Sequence, residues 1–559
     1  ATQPIADIFN KINSGFNEVI KNEPQSSKDP EWLKMNAPFT GELFLGHLRY
    51  GTFGKNNIES CHPFLRQNNW MSRNLVVAGN FNLTNVDTLL NQLFDLGQHP
   101  KEKSDTVTVL EKIGHFLDEE NELLFKKYKQ EDYSNIQISE LIAKQIDIQR
   151  ILSRAAKNWD GGYAIAGMLG HGDGFVMRDP NGIRPAYYYA DDEVVVAASE
   201  RPAIQTTFNV GIEDIREITP GHALVVRKHG NVSMVQFREP GEKRSCSFER
   251  IYFSRGSDID IYNERKELGK RLCPSVLDAV DHDLRNTVFS FIPNTAESAF
   301  YGMMKGVEDY LNEVKVVKIR KEGPEITDER LKEIMSIRPR AEKVAIKDAK
   351  LRTFITDDSH RDDLVAHVYD VTYGTIRPGT DNLVVIDDSI VRGTTLKKSI
   401  LRMLDRTNPK KIIVVSSAPQ IRYPDCYGID MAKLGDFVAF AAAIDLLEMN
   451  NMEHVIEEVY HKCKEQESFP ADQIVNHVKK IYEPFTYEQI SAQIAKRLTP
   501  PDITAEVEII YQTIDDLHKA CKYHSGDWYF SGDYPTPGGN KVVNRAFLNY
   551  MKGSNERAY

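Results

Sequence analysis

The stretch Asn382–Leu404 leaves this chain few folds to choose from. Leu383 to Ile386 form a short, largely β-branched apolar run, which predicts a strand buried on both faces of a parallel sheet. Two adjacent carboxylates follow, Asp387 and Asp388, then Ser389-Ile390-Val391 and a small-residue turn, Arg392-Gly393-Thr394-Thr395. Beyond the turn, Leu396, Ile400, Met403 and Leu404 fall on one face of a predicted helix. Open α/β sheets bind ligands at such places, at the carboxyl end of a strand. Gly393 lets the backbone approach an anion, and the amides and hydroxyls of Thr394 and Thr395 point at it from the positive end of the helix. Two carboxylates do not bind phosphate themselves. Beside such a cradle they suit the hydroxyls of a sugar, or a metal bridging to a further phosphate.

A chain of 559 residues exceeds what one core supports, so two or more domains are expected. Its formal charge of −11 argues against general nucleic-acid binding. No apolar run has the length of a membrane span, and the opening A-T-Q-P-I-A-D-I-F-N has neither the basic start nor the apolar core of a secretory signal. The six cysteines, at 61, 246, 273, 426, 463 and 521, form no C-x-x-C pair. Reduced thiols in a cytoplasmic protein are the expectation.

Ahead of residue 240 the texture differs. From Gly41 the predicted strands are short: E-L-F-L-G-H-L-R-Y-G-T, N-L-V-V-A-G-N-F-N-L-T-N, G-G-Y-A-I-A-G-M-L, G-F-V-M-R-D and E-V-V-V-A-A-S-E. Their Gly, Asn and Asp punctuation predicts a layered antiparallel domain, with helices over Val86–Phe94, Asp105–Phe116 and roughly residues 120–157. Four motifs here resemble the class II glutamine amidotransferases. Gly46-His47-Leu48-Arg49-Tyr50 followed by Thr52 is similar to that family's G-H-x-R-Y-S-T, and Gly79-Asn80-Phe81-Asn82-Leu83-Thr84-Asn85 to its H-N-G-N-L-T-N. Ser104-Asp105 falls where the family binds the glutamine amino group. Arg178-Asp179-Pro180-Asn181-Gly182-Ile183-Arg184-Pro185 looks like its R-D-P-N-G-I-R-P, a mainly structural marker.

The resemblance implies that Arg49 holds the glutamine α-carboxylate through a bidentate pair, that Asn80 supplies the side-chain donor of an oxyanion hole, and that Asp105 binds the amino group. The family's nucleophile is an N-terminal cysteine whose own α-amine is the base. Neither that cysteine nor the family's opening strands stand before Ala1, and Cys61, being internal, has no α-amine. The chain as it stands is therefore expected not to hydrolyse glutamine, being either N-terminally shortened or degenerate in this half.

Cys246–Arg255 resembles the family's bridge between domains, which sets an expected boundary near residue 255. Tyr262-x-x-Arg265-x-x-x-Gly269 fits a motif whose tyrosine and arginine couple the two active sites. The loop D-D-S-I-V-R-G-T-T resembles the phosphoribosyl-pyrophosphate (PRPP) loop of the type I phosphoribosyltransferases, and in this long form that of the glutamine PRPP amidotransferase family. It implies that Asp387 and Asp388 act in catalysis with Tyr262 and hold Mg²⁺, and that Ser389, Arg392, Gly393, Thr394 and Thr395 surround the 5-phosphate. Thr287–Pro293 is a predicted strand leading into the implied pyrophosphate loop, Asn294, Thr295, Glu297 and Ser298, with Ala296 where the family usually has serine. Arg352-Thr353-Phe354-Ile355 resembles the lid over PRPP, although the T-D-D-S-H-R-D-D behind it is acidic where the family's lid is basic. Ala418–Asp430 also follows the family pattern. The C-terminal G-D-W-Y-F-S-G-D-Y-P-T-P lacks the cysteines with which some members hold an iron–sulfur cluster, so no cluster is expected.

The expected fold is thus α+β followed by α/β. Residues 1–255 form an αββα sandwich of the N-terminal-nucleophile type, incomplete at its N-terminus. Residues 256–450 form a doubly wound phosphoribosyltransferase sheet with an insertion near 311–350, predicted to hold a strand over Val314–Ile319 and a helix N-capped by Asp328. Residues 451–559 are a C-terminal helical extension. The resemblance implies transfer of ammonia or glutamine nitrogen to PRPP, giving 5-phosphoribosylamine, the opening step of purine synthesis. It also implies inhibition by purine nucleotides, and a homodimer or homotetramer that binds neither nucleic acid nor membrane. The alternative is a PRPP- or nucleotide-binding regulator that has lost turnover.

Overall fold

A computed structural model of the chain describes residues 5–48, 61–100, 104–347, 369–429, 431–554 and 556–558. Its N-terminal half is built on a six-stranded antiparallel sheet. The strands are β1 (Phe64–Arg66), β2 (Leu75–Leu83), β3 (Gly161–Leu169), β4 (Gly174–Arg178), β8 (His222–Val226) and β9 (Val232–Gln236), in that spatial order. Between β4 and β8 the chain makes a second, three-stranded sheet of β5 (Tyr187–Ala190), β6 (Val195–Ala198) and β7 (Arg216–Glu217). The period of two divides each strand between two cores. Tyr163, Ile165, Phe175, Met177, Ala223 and Val225 face the helices Asp105–Gln130 and Ile148–Ala155. Ala164, Val176, Leu224 and Val226 face the smaller sheet. Helix Arg201–Phe208 lies against β5 and β6 on the far side, completing the αββα layering.

The second half is a five-stranded parallel sheet in the order β11 (Arg340–Ala341), β10 (Thr287–Phe291), β14 (Asn382–Asp387), β15 (Lys411–Ser416), β16 (Glu506–Tyr511). The apolar run of β14 is fully buried, as its composition predicts. Val288, Leu383, Val385, Ile412 and Val414 enter one core, and Phe289, Phe291, Val384, Ile386, Ile413 and Val415 the other. The second core is closed by helices Ile259–Ala279 and Glu297–Glu322. These approach closely at Gly269 and Gly302, where a Cβ would overlap the carbonyls of Ala299 and Lys266. β12 (Ala345–Lys347) and β13 (Tyr369–Val371) form a separate antiparallel pair.

Several expectations need correction. Val314–Ile319 is helical, the last turns of Glu297–Glu322, because Leu311 and Lys315 bury one side of a continuous helix while Val316 and Val317 face outward. Thr327, not Asp328, caps the next helix, accepting from the Arg330 amide. The helix expected over 120–157 is three helices, restarted where Ser134 and Asp147 cap new N-termini. Residues 42–48 of the first predicted strand join no ladder, and Phe44 and Leu48 are exposed there. The segment 451–559 is more than a helical extension. It supplies β16, the sheet's last strand, and places Tyr529, Trp528 and Phe547 in the main core.

Candidate active site

From β10 the chain crosses to β11 on one side, then returns to β14 on the other. The crevice beyond the carboxyl ends of β10 and β14 is therefore the topological switch point of the sheet, where such folds take ligands. The pair is in register from Thr287–Asn382 to Phe291–Ile386, and the Ile292 amide donates to the Ile386 carbonyl at 2.9 Å. The two loops singled out in the sequence flank this crevice.

Asp387 ends β14 and Asp388 follows it, both half-buried. Their backbone is pinned by the next strand: the Ser417 and Ala418 amides donate to the Asp387 and Asp388 carbonyls, each at 3.0 Å. The Asp388 amide donates to Asp387 Oδ1 at 2.9 Å, and Ser389 Oγ donates to Asp388 Oδ1 at 2.8 Å. Burial raises both carboxyls, and Asp387 is raised further by the charge of Asp388. Asp388 reaches about 6, held down by Ser389 and by the Arg265 guanidinium. Lys347, at the end of β12, pulls both carboxyls down and was not singled out in the sequence. Only the folded chain brings the Lys347 charge near the pair.

These shifts fix a pH dependence. Between the ordinary carboxylate value of 3.8 and about 6, the folded chain keeps a proton on Asp388 that the unfolded chain has released. The stabilisation this gives is present at low pH and is lost as pH rises through about 6. Thermal unfolding of the ligand-free chain between pH 5 and 7.5 will show a fall that Asp388→Asn flattens. Equal slopes in the two proteins would refute it.

The cradle follows. Gly393 has φ +67°, which favours glycine, and a Cβ there would also press on the Leu498 side chain. Thr394 and Thr395 are exposed, and Arg392 pairs with Asp436 at 3.0 Å. Leu396, Ile400, Met403 and Leu404 are buried as the pattern predicts. The first turn, Leu396–Ile400, is wide, with helix Leu401–Asp405 behind it. On the β10 side, Pro293–Asn294 is a cis peptide, Asn294 and Glu297 are exposed, Thr295 and Ser298 half-buried, and Ala296 buried. Glu297 Oε1 accepts from the Tyr301 hydroxyl at 2.9 Å. Ala296 is the N-cap of helix Glu297–Glu322 and supplies no side-chain cap.

Tyr262 and Arg265 share helix Ile259–Ala279 but do different things. Tyr262 carries the Lys266 ammonium 5.2 Å over its ring. Arg265 is buried and donates to the carbonyls of Arg250 (2.8 Å), Tyr252 (3.2 Å) and Ser254 (2.7 Å), fastening the bridge between the halves beneath Asp388. The clamp at Arg184 escaped the sequence reading, which took its motif as a marker. Its guanidinium, 1% exposed, donates twice to the Tyr427 carbonyl and once to Glu249 Oε1. Asn82 Nδ2 donates to the Cys426 carbonyl at 2.7 Å, so β2 also touches the loop that Arg184 grips. Farther along, Asp160 accepts from Thr84, Thr536 and the Gly538 amide, capping helix Pro537–Met551 from the other half.

Of the residues expected at a glutamine site, Asn80 lies exposed on β2, and Asp105 opens helix Asp105–Gln130 with Ser104 as N-cap. Arg49, and Arg352 of the expected lid, lie outside the described residues.

Residues 130–236 match the family described as glutamine amidotransferases class-II. The chain is 28% identical to the amidophosphoribosyltransferase of Pasteurella multocida over 72% of this chain and 71% of that one. It is 27% identical to that of Archaeoglobus fulgidus over 79% and 81%. Among solved structures it is similar to the glutamine PRPP amidotransferase of B. subtilis complexed with ADP and GMP, with TM-score 0.55 and 23% identity over 88% of this chain and 82% of that one. The fold is that of a class II glutamine amidotransferase domain joined to a phosphoribosyltransferase-type sheet.

Proposed function

We propose that this chain is an amidophosphoribosyltransferase, replacing the pyrophosphate of PRPP with ammonia to give 5-phosphoribosylamine, the first step of purine synthesis. The observation that carries this is the pairing of an acid pair and phosphate cradle with a second anion loop across one switch point. The resemblance over some 400 residues to curated enzymes of that activity supports it. The amides and hydroxyls of Thr394 and Thr395 take the 5-phosphate. Asp387 and Asp388 accept the ribose hydroxyls and stabilise positive charge developing at C1. The backbone of Asn294–Ser298 receives the pyrophosphate as the C1–O bond breaks, and ammonia forms the new C1–N bond and sheds a proton.

The carboxylates of Asp387 and Asp388 are hard-oxygen donors that would hold a Mg²⁺ ion. Bound there, it would supply charge neutralisation for the leaving group. Arg352 belongs to closure over PRPP in this reading, while Tyr262 acts with the acid pair and couples the two sites. Arg49, Asn80 and Asp105 belong to a glutamine pocket. The division between units lies near residue 255. Purine nucleotides are the proposed inhibitors, following the ADP and GMP bound by the B. subtilis relative. A cytoplasmic homo-oligomer completes the proposal, and no described helix is long and apolar enough to cross a membrane.

A second reading, a PRPP-binding regulator without turnover, draws on Ala296, which leaves the pyrophosphate helix without a side-chain cap. Pyrophosphate release from PRPP and Mg²⁺, with ammonium or with glutamine, separates the two. Release with ammonium is expected. PRPP binding without release from either nitrogen source would establish the regulator instead.

A further inference from the structure

His62 stands where three segments of the amidotransferase half meet. Its ring stacks on His47 at 4.5 Å and 25°, and meets Phe64 edge-on at 5.3 Å and Phe81 at 6.0 Å. The loop of the G-H-L-R motif, β1 and β2 thus all press on one imidazole. Its polar atoms reach further. The Gly79 amide donates to Nδ1 at 3.3 Å, and Nε2 lies 3.3 Å from Thr106 Oγ1.

The backbone donor fixes the direction of this chain. Because Nδ1 accepts from an N–H, the neutral ring carries its proton on Nε2 and donates it to Thr106 Oγ1. Thr106 Oγ1 then gives its own hydrogen to Asp105 Oδ1 at 3.3 Å, the atom that also accepts the Thr106 amide at 2.7 Å. Gly79, next to Asn80, is thereby linked through one imidazole and one buried hydroxyl to the carboxylate of Asp105. Gly79 has no freedom on its other side, where a Cβ would press on the backbone of Ala164 and Ile165 in β3.

We propose that His62 is a positioning residue of the glutamine pocket, setting the spacing between Asn80 and Asp105. This rests on the reading of the first half as an amidotransferase. An α-amino acid with a side-chain amide must put its ammonium on one residue and its amide carbonyl by the other. A pocket whose two ends are tied through a rigid ring holds that separation without reordering on binding. In this role His62 acts through Gly79 and Thr106 rather than on the ligand.

The test is L-glutamine binding to the full chain by calorimetry, together with amide hydrogen exchange over residues 79–81. His62→Leu, which keeps bulk but offers neither donor nor acceptor, is expected to weaken glutamine binding about 10-fold and speed that exchange, while His62→Gln, which offers both, returns both to within about 3-fold of the parent. Thr106→Val breaks the same link from its other end and should loosen residues 79–81 likewise, which keeps the test open if His62→Leu fails to fold. Parent-like binding and exchange in His62→Leu or in Thr106→Val would overturn the proposal. So would His62→Gln behaving as His62→Leu. Failure of the parent to bind L-glutamine would overturn both the pocket and the role of His62. Ammonium-dependent pyrophosphate release from the parent judges the phosphoribosyl reading separately.

Discussion

Asp388→Asn is expected to lower kcat/KM for ammonium-dependent pyrophosphate release from PRPP by roughly 10²–10³-fold, and Asp387→Asn by a similar factor. Asparagine preserves shape and one acceptor oxygen but removes the negative charge that faces a ribose centre becoming positive. The effect is large because the carboxylates are pinned rather than mobile. Hydrogen bonds from Ser417 and Ala418 hold their backbone, and Ser389 orients Asp388. Little reorganisation is left to be done when charge develops. Loss through unfolding is separable, since the two acids repel and burial penalises their charge. Neutral asparagine at 388 should leave the ligand-free chain at least as stable as the parent at pH 7. Steady-state kinetics with an enzyme-coupled pyrophosphate assay reads the result, and a variant within about 5-fold of the parent would remove the pair from the chemistry.

Arg184→Ala is expected to cost about 3–5 kcal/mol of stability, the range for breaking a buried ion pair from one side. The guanidinium satisfies the Tyr427 carbonyl and Glu249, and its charge offsets the burial that raises Asp425. Asp425 accepts in turn from the amides of Tyr427 and Ile429 and from Trp528 Nε1. Alanine would leave the buried Asp425, the half-buried Glu249 and the Tyr427 carbonyl without their cation. Lysine cannot replace it, because a single ammonium does not span the positions that the planar fork reaches. Trp528, 4.9 Å from the Tyr427 ring and edge-on to it, should report the loss in urea unfolding followed by tryptophan fluorescence. A change below about 1 kcal/mol would mean that the contact between the halves does not depend on this arginine.

The acid pair, the cradle and the strands beneath them were legible because each depends on neighbours in sequence. An apolar run, two acids and a Gly-Thr-Thr turn carry their own geometry. What could not be read joins residues hundreds of positions apart. Arg184 meets Tyr427, Asp160 meets Thr536, and Lys347 faces Asp387, and no periodicity announces such meetings. The strand expected over Val314–Ile319 failed for a related reason. Its β-branched residues favour strand locally, but Leu311 and Lys315 bury one side of a helix already begun at Glu297. His62 lies between these cases: adjacent to a flagged cysteine, yet given meaning only by Gly79 and Thr106.

The position of β16 bears on how the chain is made. Strand β15 ends at Ser416, and its outer neighbour begins only at Glu506. During synthesis the sheet therefore presents a raw β15 edge until Glu506 and the residues after it have followed, and helix Pro537–Met551, which Asp160 caps, comes later still. An apolar, unpaired parallel edge is the kind of surface on which nascent chains associate. The segment Glu506–Tyr511 thus acts as the clasp of the parallel sheet, closing an edge that every strand before it leaves open.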